Sequence, residues 1–191
     1  MNILILGACS KTGKKLVAHG LRKGHYITAL VDKPELLQMF DDNLKVVCKK
    51  TLNNDLSSIL SGQNVVINVI CGNAPRIFSK AKNKSISTIN DILPTMSGQS
   101  DVRRLLVVNT KSLVRKKLIR EHGDLVKNSG LDWTIVNPAR LIDKPKTGRY
   151  KVSLNLPRSP FAKVSHADVA DFIIDNIENR NLVGKSISIR Y

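Results

Sequence analysis

The 191-residue sequence predicts an α/β fold, a doubly wound parallel sheet, and three observations carry that expectation. Short apolar runs alternate with longer amphipathic stretches, as β-α units around a parallel sheet require. The runs are apolar at consecutive positions, which suits strands covered on both faces. The first run passes through a turn with a glycine at each end, Gly7-Ala8-Cys9-Ser10-Lys11-Thr12-Gly13, directly into a helical pattern.

The predicted strands are Ile3–Leu6, Ile27–Val31, Leu44–Cys48, Val65–Ile70, Leu105–Val108 and Trp133–Val136, with Trp133 in the core. Helical stretches lie near residues 12–22, 34–40, 55–61, 77–97, 112–128 and 167–178. Gly24, Gly62, Gly98 and Gly130 follow helical periods, where a left-handed cap residue belongs. Ser165-His166-Ala167-Asp168 reads as a capping box opening the last helix. The weak alternation over Val183–Ile189 suggests a final strand. With no internal repeat, low-complexity segment or linker, residues 1–191 read as one domain.

Composition narrows the function classes. No apolar run approaches the length of a membrane span, and Met1–Gly7 lacks the basic start and cleavage site of a signal peptide. Cys9, Cys48 and Cys71 are odd in number and lack metal-ligand spacing, so they read as buried thiols of a cytoplasmic protein. The net charge of +16 is unusual, and residues 102–120 carry seven basic side chains and no acid. Such a field attracts anions, nucleic acid among them, or simply keeps the surface solvated. With aromatic residues at 4%, few rings are available for base stacking.

Glycines at the strand end and helix start allow a sharp turn and close helix–strand packing, and the helix N-terminus then presents N–H groups to a pyrophosphate. A tight turn without a ligand is the plainer alternative. Asp32 ends the second strand, 19 residues beyond Gly13, where an acid suits the ribose hydroxyls of NAD. Lys33 beside it could serve the 2′-phosphate of NADP, and Asp32 could instead start a helix before Pro34.

The glycine loop resembles the G-A-T-G-x-T-G fingerprint of the atypical short-chain dehydrogenase/reductases, the NmrA-like and biliverdin reductase B (flavin reductase) group. Ser129-Gly130-Leu131-Asp132-Trp133-Thr134-Ile135-Val136-Asn137-Pro138-Ala139-Arg140-Leu141 is similar to that family's S-G-L-D-W-T-I-V-R-P-x-x-L segment. Pro145-Lys146-Thr147-Gly148-Arg149-Tyr150 and Val164-Ser165-His166-Ala167-Asp168-Val169-Ala170-Asp171-Phe172 resemble its P-x-T-G-x-Y turn and I-S-R-x-D-V-A-x-F helix start. The resemblance implies a Rossmann domain that binds NADP or NAD. Gly7, Ser10, Lys11, Thr12 and Gly13 would lie at the pyrophosphate, with Asp32 and Lys33 at the adenosine ribose. Cys71 and Gly72 would pass along the middle of the cofactor. Asn109, Thr110, Ser112, Pro138 and Ala139 would approach the nicotinamide.

Departures from the family pattern matter too. Ser10 stands at the middle glycine, and Val47-Cys48-Lys49-Lys50 stands where a Gly-Asp pair usually flanks the adenine. The stretch between Asn109 and Ser129 is shorter than in relatives. None of Tyr26, Tyr150 and Tyr191 has a lysine four residues later, so the Tyr-x-x-x-Lys acid of classical members is missing.

Hydride transfer to a flavin, quinone or similar planar acceptor can rest largely on positioning. Ser112 and Arg140 are the candidates beside such an acceptor. Their plainer roles are a helix cap and a solvated arginine. A non-catalytic dinucleotide sensor of the NmrA-like kind is the alternative function, and a nucleic-acid binder that has lost its cofactor is a third. His19 and His25 read as surface residues, His122-Gly123 as a break in a basic helix, and no histidine has metal-ligand spacing.

Overall fold

A computed structural model describes residues 1–49, 56–70, 89–99, 101–109, 116–154 and 161–191. The strands are β1 (Asn2–Leu6), β2 (Tyr26–Val31), β3 (Leu44–Cys48), β4 (Val65–Ile70), β5 (Arg104–Asn109), β6 (Asp132–Pro138), β7 (Arg140–Ile142), β8 (Lys151–Ser153), β9 (Lys163–Ser165) and β10 (Lys185–Arg190). The helices are α1 (Lys11–Arg22), α2 (Ser57–Leu60), α3 (Ile89–Gln99), α4 (Lys116–Lys127) and α5 (His166–Asp175).

Eight strands form one sheet in the order β3-β2-β1-β4-β5-β6-β10-β8, parallel except for the β8 edge, while β7 and β9 pair separately. Strand order reverses between β1 and β4. In open α/β sheets ligands bind beyond the carboxyl ends of strands at such a switch point.

Ile3, Leu4, Ile5 and Leu6 are all fully buried because alternate side chains enter different cores. Ile3 and Ile5 join Leu16 and Val17 of α1 and Val169, Phe172 and Ile173 of α5. Leu4 and Leu6 join Ile59 and Leu60 of α2, Ile92 and Met96 of α3, and Val126 of α4. The sheet is therefore wound on both faces, as its consecutive apolar runs require.

Several local expectations need correction. The stretch near 34–40 forms only a 3-10 turn, Pro34–Leu36; Leu37 is its buried anchor and Gln38 at φ 47 turns the chain out of helical geometry. Gly24, Gly62 and Gly130 do adopt positive φ, but Gly98 lies inside α3, which the buried Met96 holds against the core. Helix α4 runs unbroken through His122-Gly123, with His122 buried. Trp133 is only half-buried, packed against the second core. Cys9 and Cys48 are half-buried thiols. Strands β7, β8 and β9 escape sequence reading because three residues are too few to show an alternation.

Candidate functional site

Strand β1 delivers Gly7 to the switch point. Gly7 sits at φ +78, and a Cβ there would lie 2.7 Å from the Val69 carbonyl oxygen of β4. At Gly13 a Cβ would lie 2.2 Å from the Gly7 carbonyl oxygen and 2.7 Å from Ala8 Cα. Both glycines are thus required by backbone contact, and the loop folds as tightly as the sequence pattern implies.

Ser10 does not distort this loop. Its φ of −70 and ψ of 161 are ordinary extended values, and it serves as the N-cap of α1. Ser10 Oγ accepts the Gly13 N–H at 2.9 Å, and the Ser10 carbonyl oxygen accepts the Lys14 N–H at 2.8 Å. Among the described residues, the donors left without a partner at the start of α1 are the N–H groups of Lys11 and Thr12. They stand at the positive end of a helix whose first turn holds no acid. That arrangement fits a pyrophosphate through backbone donors.

The Thr12 side chain is turned away from that mouth. It is buried, and its Oγ1 shares a 2.7 Å hydrogen bond with Nδ1 of His166, the first residue of α5. His166 Nε2 lies 3.8 Å from an Asp143 oxygen. Burial pushes the His166 imidazole below its ordinary value, against the opposing pull of Asp143. Lys11 projects from the loop and pairs with Asp143, just beyond β7.

Asp32 and Lys33 follow β2 and are both exposed, as a ribose corner needs. Their backbone is held by thiols on either side: Cys9 Sγ donates to the Lys33 carbonyl oxygen at 3.5 Å, and Cys48 Sγ to that of Asp32 at 3.9 Å. Lys33, not Asp32, caps the 3-10 turn that follows. The structure therefore brings the Asp32–Lys33 corner against the glycine loop through Cys9.

Two strands further along the sheet from β1, Asn109 is buried at the end of β5. Its Nδ2 donates to Asn137 Oδ1 at 3.0 Å, and Asn137 Nδ2 donates to Ser186 Oγ at 2.9 Å. This ladder ties β5, β6 and β10 together and leaves Asn109 Oδ1 buried without a hydrogen-bond partner among the described residues. Pro138 and Ala139 are buried at the corner into β7, where the Ala139 N–H donates to Ile189. Arg140 opens β7 with an exposed side chain. Cys71, Gly72, Thr110 and Ser112 lie outside the described residues.

Two clusters escaped the sequence reading. Asp168 accepts hydrogen bonds from the backbone N–H groups of Thr147 and Gly148 and from the hydroxyls of Ser165 and Tyr191, at 2.6 to 2.9 Å. Burial alone would push its carboxyl up; these donors outweigh that and hold it below its ordinary value. The P-x-T-G-x-Y turn and the helix-start motif are therefore two halves of one knot.

The second cluster corrects the reading of His19 as a surface residue. His19 is buried between α1 and α5, 3.1 Å from Asp171 and 3.5 Å from Asp175. The signal was its position on the buried stripe with Thr12, Leu16 and Gly20. Three such donors could hold a cation. Here, however, Lys146 pairs with Asp171 and Lys23 with Asp175, while Arg22 donates to His19 Nδ1 and so leaves the ring proton on Nε2. The group is an ion network that joins two helices.

Tyr150 packs edge-on against Phe172, and burial together with Asp171, Asp175 and Asp168 pushes its hydroxyl up to about 12. A phenol held so far from neutrality is a poor proton donor. No helix among the described residues is long and apolar enough to cross a membrane.

Residues 7–180 match the NAD(P)H-binding family. Solved structures share the fold. A Rossmann-fold NAD(P)-binding family protein from Shigella flexneri is 24% identical, with 98% of this chain and 92% of that one covered and a TM-score of 0.78. A wide-type short-chain dehydrogenase/reductase from Veillonella parvula, in complex with NADP, is 19% identical over 98% and 93%, with a TM-score of 0.73. A Streptococcus pneumoniae protein provisionally assigned as an NADH-flavin reductase is 21% identical over 100% and 99%, with a TM-score of 0.74. No curated protein matches the chain. A switch-point loop that needs both its glycines, heading a helix with no acid in its first turn, agrees with the match over residues 7–180: the chain belongs to the NAD(P)H-binding family.

Proposed function

We propose that the protein is an NAD(P)H-dependent oxidoreductase of the atypical short-chain class that reduces a flavin, quinone or similar planar acceptor. The observation that carries this reading is the loop at the β1–β4 switch point, where Gly7 and Gly13 have no room for a Cβ and, among the described residues, the Lys11 and Thr12 N–H groups have no partner. Gly7, Ser10, Lys11, Thr12 and Gly13 would hold the pyrophosphate, and Asp32 or Lys33 the adenosine ribose. When bound, the cofactor supplies a hydride from its nicotinamide.

The chain's own part is to orient and to exclude water. Asn109, fixed through Asn137 and Ser186, forms a rigid floor at the nicotinamide end together with Pro138 and Ala139. The exposed Arg140 guanidinium can hold an anionic or carbonyl oxygen of the acceptor but cannot donate a proton at neutral pH. With no Tyr-x-x-x-Lys pair and Tyr150 held protonated, the reading favours acceptors that need no enzyme acid.

Calorimetric titration with NADH and NADPH, followed by oxidation assays with quinones and flavins, tests the proposal. Binding of either nucleotide is expected, with turnover on a planar acceptor and loss of both in Gly13→Trp. Binding without turnover on any acceptor would favour the second reading, a dinucleotide sensor, which the missing acid also supports. No binding would sink both.

A further inference from the structure

Lys11 sits at the first position of α1, on the loop read above as the pyrophosphate cradle, and Asp143 reaches it from a distant part of the chain. The first turn of α1 carries no acid of its own. Asp143 is therefore an anion brought to a helix start that lacks one, and a helix start favours anions.

Its surroundings agree. The hydrogen bond from Lys11 holds the Asp143 carboxyl below its ordinary value, with further help from the charges of His166 and Lys15. The backbone that delivers it is fixed, since β7 pairs with β9 and the Lys144 N–H donates to Ile142. Yet both side chains remain open to water, Lys11 at 69% and Asp143 at 62% exposure, so either can change partner without unfolding anything.

We propose that Asp143 sets the dinucleotide affinity of this site: its carboxylate competes with a cofactor phosphate for Lys11, and binding requires the lysine to change partners. The inference rests on the cofactor reading above. It assigns to Asp143 an opposing role, lowering affinity and so easing release. An exposed pair of this kind is weak, so the effect is modest: removing the carboxylate should tighten binding about two- to fivefold.

The test is calorimetric titration of wild type, Asp143→Asn, Lys11→Met and the double variant with NADH, NADPH and inorganic pyrophosphate, with thermal melts to show that each is folded. Asp143→Asn is expected to tighten binding, Lys11→Met to weaken it, and Asp143→Asn to confer no gain once Lys11 is gone. The proposal is overturned if wild type binds a dinucleotide and Asp143→Asn binds it no better. It is also overturned if the gain persists in the Lys11→Met background, for then only long-range charge has changed. If neither wild type nor Asp143→Asn binds NADH or NADPH, the cofactor reading itself fails and this inference falls with it.

Discussion

Thr12 Oγ1 lies 2.7 Å from His166 Nδ1, so the one hydroxyl in the first turn of α1 serves the contact between α1 and α5 and not the mouth of the glycine loop. What Thr12 can offer an anion is its backbone N–H. The resemblance to a G-x-T-G loop therefore carries a structural residue beside those proposed to bind phosphate.

Thr12→Val keeps the shape of the side chain and removes its hydroxyl, leaving a part-buried imidazole nitrogen unpaired. The expected cost is about 1 to 3 kcal/mol of stability in chemical denaturation. Dinucleotide affinity should change by less than about twofold, because the N–H remains. A large loss of affinity with stability intact would place the hydroxyl in the cradle instead.

Asp168 is the acceptor that closes the Thr147–Gly148 turn onto Ser165, the cap of α5. Asp168→Ala strands two backbone N–H groups and the Ser165 and Tyr191 hydroxyls together. A loss of about 3 kcal/mol or more is expected, seen as a lower denaturation midpoint. Asp168→Asn should recover only part of it, since an amide accepts at one oxygen alone. An Ala variant as stable as wild type would show that the knot carries no weight.

Burial pushes His122, His166 and His25 all below the ordinary imidazole value of 6.5. Below that value the unfolded chain takes up protons that the folded chain resists, so the unfolded state binds more protons and stability rises with pH. The stabilisation is complete above about 6.5 and is lost as pH falls from there toward the lowered folded-state values. Urea midpoints measured between about pH 5 and 7.5 should climb with pH and then level off. His122→Gln should flatten the slope, and an unchanged slope in that variant would remove His122 from the account.

The family, the winding of the sheet and the place of the glycine loop were legible in the sequence because each depends on near neighbours in the chain. Ile3–Leu6 is apolar on both faces, Gly7 and Gly13 bracket one turn, and Ser165 caps the helix that begins beside it. Period and spacing report such local demands directly. Other residues acquired their roles only through chain crossings of more than a hundred positions. Thr12 meets His166 and His19 meets Asp171 because α1 and α5 pack side by side on one face of the sheet, and Lys11 meets Asp143 because the chain just beyond β7 reaches the start of α1. A hydrogen bond or ion pair depends on distance in space, and no residue pattern encodes that distance until the sheet brings the two helices together. The glycine loop was thus set by the sequence, while the partner that Lys11 finds in Asp143 was decided by the fold.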